Sequence, residues 1–437
     1  MASQNRGLST RFSPNAPRGF TQVEEIAKKL SHNPALLKAI FLTLIAIAAI
    51  TRNPGLVLHP QIWGDEASWF KDAYLVGPIR ALFIPQAGYL CVISRAPALL
   101  AIHVPMRDVP LVFGASALLI QIGCASLLLT SRFESLGTLG VRFLLAFLWI
   151  AVPNSGEIPT LNDSPWILGV FGALLLFTAA KTSTLWRVFD VVAVALIAIT
   201  GPYSIILVPL SWLTAYIRKS DWSAKLAAVT TVGAMIQLFT LGNYLAPCAH
   251  RPDIYDPLLL NLIGSQIYLF GLLSTFDVVS GSSGQSVYAT QLVTVAAIVG
   301  SGIVFYAVRR GGLELRLFLI FSLLIFLACI RRLQCDPNWK WPFLFDVNYA
   351  IRYWYVERLA VIGCLVTILS SRIRVLQGVA TAAIALIVLG SAKHWAYSDM
   401  PDVGFYQAAE RFEQANPGTT VILPSDPPGW SLILKKR

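Results

Sequence analysis

Apolar residues in this chain come in long blocks separated by short polar links. The blocks fall at 35–58, 109–131, 138–153, 164–181, 187–201, 203–217, 223–246, 286–308, 314–331, 353–371 and 374–391. Several approach the ~20 residues needed to cross a bilayer core. They predict an all-α polytopic membrane protein with 11 transmembrane helices. The links holding Arg132 and Arg142, Lys181 and Arg187, Arg218, Lys219 and Lys225, Arg309, Arg310 and Arg316, and Arg372 and Arg374 are basic. They alternate with links at 153–163 and 201–203 that contain no Lys or Arg. Because cytoplasmic loops carry the Lys/Arg excess, basic links are assigned inside and the others outside.

That alternation places residues 59–108. The amino-terminal 34 residues carry Arg6, Arg11, Arg18, Lys28 and Lys29 and show no signal-peptide cleavage pattern, so they are expected to form a cytoplasmic basic tail. The first span then delivers residue 59 outside, and the run at 109–131 must begin outside to end at Arg132. Residues 88–104, GYLCVISRAPALLAIHV, are short for a span and contain Arg95 and Pro97. The expectation is two external interfacial helices, 62–83 and 88–104, lying along the outer leaflet. Further external loops are expected at 247–285, with its VVSGSSGQS stretch, and at 332–352. Residues 392–437 read as a small external α+β appendix. Helical spacing of Phe405, Ala408, Ala409 and Phe412 is followed by a strand-like TTVILP and the turn SDPPGW.

Composition sharpens the class. Hydrophobic residues make up 56% of the chain and charged residues 13%, against roughly a quarter charged in soluble domains. A net charge of +11 in such a chain points to cytoplasmic loops and lipid phosphates, not to nucleic acid. Six cysteines lack metal-type spacing; Cys248 and Cys335 both fall in external loops and could pair.

Candidate chemistry gathers on the outer side. Asp65 and Glu66 sit between Trp63 and Trp69 just beyond the first span. An apolar wall raises a carboxylate's basicity, and such a group can take a proton from an acceptor hydroxyl or help hold a divalent metal; the bland alternative is a solvated loop acid. Adjacent residues point two ways, so one catalytic and one supporting acid are expected. The turn VPNSGEIPTLNDSPW adds Asn154, Glu157, Asn162 and Asp163, with Asp163 equally readable as a helix cap. The stretch from 331 to 358 contributes Arg332, Lys340, Tyr349, Arg352, Tyr353 and Arg358. Its aromatics suit interfacial anchoring. An Arg beside a span needs a partner, and phosphate is the obvious one. His250 and Arg251 could join such a site or remain solvated.

This layout resembles the polytopic glycosyltransferases of the GT-C fold, which use lipid-phosphate-linked sugars. It is similar to the aminoarabinose transferases of lipid A and, in layout, to protein O-mannosyltransferases. Gly64-Asp65-Glu66 resembles the acidic motif that follows the first span in that family, and Gln86-Ala87-Gly88-Tyr89-Leu90 resembles its A-G-Y-W stretch. The resemblance implies that Asp65, ahead of Glu66, is the catalytic acid, and that the Glu157–Asp163 turn is the family's second acidic turn. By location it implies that Arg352 and Tyr353 contact lipid phosphate. The chain departs from the family in its tail of under 50 residues and modest external loop, and no WWD-type oligosaccharyltransferase motif occurs.

The expectation is a glycosyltransferase of the bacterial inner membrane, amino terminus cytoplasmic and carboxyl terminus external. A polyprenyl-phosphate-linked sugar is the donor, and an envelope glycan, glycolipid or protein is the acceptor, among membrane lipids and without nucleic acid. No cofactor is required by the pattern; a divalent metal is the one the acids could hold. A transporter or flippase of lipid-linked glycans is the alternative, and would want ionisable residues deep in spans. An envelope acyltransferase would want a histidine within a span, whereas His103, His250 and His394 are peripheral.

Overall fold

The computed structural model describes residues 33–154, 160–179, 183–242, 258–274, 287–334, 344 and 351–437. In chain order the main elements begin with α1 (Pro34–Arg52), α2 (Gly64–Val76), α3 (Val109–Leu127), α4 (Leu139–Ala151) and α5 (Ser164–Phe177). They continue with α6 (Thr184–Ala198), α7 (Tyr203–Arg218), α8 (Asp221–Gly242) and α9, built from Leu258–Leu262, Ile263–Leu269 and Phe270–Leu273. Then come α10 (Val287–Arg310), α11 (Leu313–Gln334), α12 (Tyr355–Leu369) and α13 (Arg374–Lys393). The tail forms α14 (Phe405–Gln414) and an antiparallel hairpin of β1 (Thr420–Ser425) and β2 (Trp430–Lys435). The chain divides into Met1–Leu44 and Ile45–Arg437. The first unit contributes the opening turns of α1, and the second holds the remaining helices and the tail.

Every apolar run carries a helix. Among the described residues, Pro34–Arg52, Met106–Leu127, Asp221–Gly242, Gln291–Arg310, Leu313–Arg331 and Arg374–Lys393 are long and apolar enough to cross a membrane. The chain is a multi-pass, mainly helical membrane protein. Other apolar helices are shorter, and the shortness of one shapes the fold. Helix α5 buries every residue except Trp166 and Leu174, the pattern of a helix enclosed on all sides. It packs on α3, α6, α7 and α11, and a Cβ at Gly169 would lie 2.7 Å from the Tyr203 ring. Fourteen residues rise only about 21 Å, short of a ~30 Å hydrocarbon core.

The Ser164 end of α5 is covered by residues 59–108, which are stitched to the bundle polar group by polar group. Ser94 Oγ lies 2.8 Å from Ser164 Oγ, and Ile93 N–H donates to Thr200 Oγ1 at 3.1 Å. The Gln237 side chain, deep in α8, accepts from Leu90 N–H at 2.8 Å and donates to Leu90 C=O at 3.1 Å. A buried glutamine is tolerated because both ends of its amide are satisfied.

Two expectations for this segment are corrected. The segment 62–83 is broken at Gly77 (φ 93), where α2 ends before the single turn Pro78–Ala81. The segment 88–104 is two single turns, Val92–Arg95 and Ala98–Ala101, interrupted at Pro97; proline supplies no N–H to continue a helix. A third difference lies in the expected loop 247–285, whose residues 258–273 form α9. Its central stretch is π-helical and buried, with Gln266 and Tyr268 in the interior.

At the opposite end of the bundle, the arginines read as inside markers have structural work. Arg132 is fully buried and pairs with Asp190 at 2.7 Å. It also donates to Thr178 Oγ1, Ala179 C=O and Leu175 C=O. Arg218 pairs with Glu314 at 2.8 Å.

The tail is no separate appendage. Phe405, Ala408, Ala409, Phe412, Leu423, Leu432 and Leu434 share one core with Ile62, Trp69, Phe70, Ala73, Phe113 and Leu161. Main-chain bonds reinforce it: Gly64 N–H donates to Asp426 C=O at 2.6 Å, and Asp426 N–H to Ile62 C=O at 2.9 Å. Gly64 permits this approach, since a Cβ there would lie 2.3 Å from Trp430 Cε3. Gly64→Ala is therefore expected to cost about 1–3 kcal/mol and to speed proteolysis of the hairpin. The double variant Gly64→Ala/Trp430→Ala, compared by thermal unfolding with Trp430→Ala alone, should show no further loss.

Candidate functional site

The site begins with the two acids that open α2, which the fold sends to different tasks. Glu66 is the third residue of the helix and buried. Its Oε2 accepts from Trp63 N–H at 3.1 Å, the reach-back half of a capping box. Its Oε1 accepts from Leu161 N–H at 3.0 Å. One side chain thus ties the start of α2 to the turn before α5. Burial pushes the Glu66 carboxyl up to about 7, against the pull of those N–H donors, with adjacent Asp65 pushing further in the same direction.

Asp65 turns the other way and stays half-buried. Burial raises its carboxyl above the ordinary range, opposed by the Arg352 guanidinium, the Gln86 hydrogen bond and Arg95, in that order. Gln86 Nε2 donates to Asp65 Oδ1 at 2.6 Å. Gln86 Oε1 in turn accepts from Arg95 Nη2 at 3.4 Å, and Arg95 Nη1 is held by Asp72 at 2.8 Å and Ala81 C=O at 3.1 Å. Arg352 Nη1 lies 3.8 Å from Asp163 Oδ2. The Arg352 guanidinium sits over the Tyr353 ring at 5.4 Å, and Trp166 meets both Tyr353 and Tyr203 edge-on at 5.7 and 5.5 Å. Tyr89 is in electrostatic reach of Asp65, Asp163 and Tyr353, and burial raises its hydroxyl's pKa. The result is a cluster in which the Asp65 carboxylate feels the Arg352 guanidinium, with Asp163 and aromatic side chains around them.

Of the residues singled out in the sequence, Asp65, Asp163, Arg352 and Tyr353 come together here, and Glu66 supports them as a structural acid. Arg358 is directed elsewhere. It is buried in α12, where Nε and Nη2 donate to Gln266 C=O and Oε1 at 2.9 and 3.4 Å, and Nη1 donates to Pro153 C=O at 3.0 Å. Its guanidinium covers the Phe270 ring at 4.4 Å. The partner anticipated for this arginine is therefore protein carbonyl, supplied by α9. Arg332 belongs to the last turn of α11, its side chain outside the described residues. Glu157, His250, Arg251, Lys340, Tyr349 and the Cys248–Cys335 pairing also lie outside them.

Two contributors escaped sequence reasoning. Gln86 looked like part of a turn motif, and only its amide geometry reveals a partner for Asp65. Arg52 falls inside the first apolar run and carries no sequence signal of its own. It is buried, donates to Trp395 C=O, Val152 C=O and Tyr397 Oη, and stacks under the Trp395 and Tyr397 rings. Among the described residues no group of three His, Cys, Asp or Glu side chains could hold a metal. The charge nearest in influence on Asp65 is a guanidinium, which competes with any dication. No protein-family model matches the chain, and no curated protein matches it in sequence.

The division of labour between the acids is testable by stability alone. Glu66→Gln turns an amide NH₂ toward a buried N–H and should cost about 1–3 kcal/mol, whereas Asp65→Asn should unfold close to wild type. A folded-state value near 7 against an ordinary 4.5 means that Glu66's pH-linked stability is complete below about 4.5 and lost as pH rises through 7. Melting curves of wild type should fall across that window relative to Glu66→Gln.

Proposed function

We propose that this protein is a GT-C-like membrane glycosyltransferase that moves a sugar from a polyprenyl-phosphate donor to an envelope glycan, glycolipid or protein. The observation that carries this reading is a half-buried Asp65 whose carboxyl is raised by burial, in the electrostatic reach of an Arg352 that lies 3.8 Å from Asp163. In the proposed reaction Asp65 takes the proton of an acceptor hydroxyl as that oxygen bonds the sugar's anomeric carbon from the face opposite the phosphate. The anomeric carbon–oxygen bond to phosphate breaks with inversion, and its electron pair leaves with polyprenyl phosphate. Arg352 neutralises the charge that develops there. Tyr353 and Trp166 offer faces on which a sugar ring can rest, and Asp163 holds Arg352 in place until a phosphate takes over. The reading includes eleven spans, an amino terminus in the cytoplasm, and a site on the outer face of a bacterial inner membrane.

The assay uses purified protein in lipid vesicles, a polyprenyl-phosphate-linked sugar and a pool of envelope acceptors. Wild type should form product, and Asp65→Asn should be slower by about 10²–10⁴-fold. Arg352→Gln should weaken use of the donor. The acid limb of the rate profile should lie above the ordinary aspartate range, because the shift in Asp65 is upward. Equal product from Asp65→Asn would sink the assignment. Reporter fusions at residues 105 and 135 should report outside and inside, respectively.

A flippase of lipid-linked glycans is the second reading, favoured by one observation. Glu357, the third residue of α12, is buried, and among the described residues no other residue hydrogen-bonds its carboxylate; an ionisable group enclosed in a span is a functional signal. Transbilayer movement of donor without product, abolished by Glu357→Gln, would favour it.

A further inference from the structure

We infer that Gln86 is a positioning residue for Asp65: its amide caps Oδ1 and leaves Oδ2 as the oxygen that accepts the proton. This inference rests on the reading of Asp65 as the base. The geometry leaves little freedom in the amide. A guanidinium has only donors, so the Gln86 atom facing Arg95 Nη2 at 3.4 Å must be the carbonyl oxygen, and the NH₂ must face Asp65 at 2.6 Å. Arg95 cannot swing away to release it, because it is buried and anchored by Asp72 and by Ala81 C=O.

The backbone is fixed as well. Gln86 and Tyr89 exchange both main-chain bonds, at 2.9 and 3.0 Å, around Ala87 (φ 49) and Gly88 (φ 88). Two central residues with positive φ form the tight hairpin turn that usually takes Asn-Gly. An alanine in the left-handed region is strained, because its Cβ crowds the following carbonyl. The chain tolerates that strain at the turn whose first side chain reaches Asp65 and whose last, Tyr89, lies beside the same cluster. The Gln86 contact is the one hydrogen bond that Asp65 makes among the described residues. The amide reaches Oδ1, so Oδ2 is left for a substrate hydroxyl.

The hydrogen bond also favours the charged form of Asp65, opposing the effect of burial. Gln86→Met keeps the length and removes the donor. Gln86→Glu keeps an acceptor for Arg95 but sets a second carboxylate against Asp65. The titration of Asp65 can be read without turnover, as the carboxyl stretch in infrared difference spectra of each protein minus its Asp65→Asn counterpart. Gln86→Met should move the midpoint up by about one to two pH units, and Gln86→Glu should move it further. The acid limb of sugar transfer should follow in step. An unmoved midpoint in well-folded Gln86→Met would overturn the positioning role, whatever happens to the rate. A moved midpoint in Gln86→Met beside a wild type that transfers no sugar would uphold the positioning role and reject the catalytic reading.

Discussion

The buried carboxylate of Glu66 is the contact on which the rest of the site depends. Two backbone N–H groups converge on it, Trp63 from the entrance to α2 and Leu161 from the turn ahead of α5. Without it, those donors would be enclosed and unsatisfied. With it, Asp65 on α2 and Asp163 at the head of α5 are held in one cluster, where Arg352 from the α12 side can meet them. The negative charge at the start of a helix is favoured by the helix dipole, and the buried setting is not. Glu66 therefore sits in tension between burial and hydrogen bonding.

A second constraint is the length of α5. An enclosed helix of this kind has an end that must be covered, and residues 59–108 lie over it. That is why this segment is broken into short helices pinned by Gln237, Thr200 and Ser164. A pair of long rods on a lipid surface could not supply those contacts. It also explains why polar groups such as Gln237 lie deep in otherwise apolar helices: each satisfies the backbone of the inserted segment.

Much of this was legible in the sequence because membrane helices announce themselves by long apolar runs, and every such run is helical here. The acidic pair and the Asp163 turn were visible as charges at the ends of those runs. What stayed hidden depends on contacts that no local pattern encodes. Helix α9 was read as loop because Asn261, Ser265 and Gln266 dilute its apolar residues, yet Gln266 is polar in order to hold Arg358. Arg358 and Arg352 differ little as letters; one is sealed among carbonyls and the other joins the acidic cluster. The choice between Asp65 and Glu66 could not be made from an adjacent pair, since it rests on which of them meets the N–H groups of Trp63 and Leu161.

The approach of Trp430 to Gly64 bears on how the molecule is made. The acidic helix emerges with the first apolar segment, while the hairpin that roofs it follows the entire bundle in the chain. Throughout synthesis and insertion, Ile62, Trp69 and Phe70 must wait for Phe405, Phe412, Leu423 and Leu432 to close their shared core. A ribosome-bound chain that has delivered all its apolar segments still carries an α2 without its roof until residues 420–435 fold back onto it.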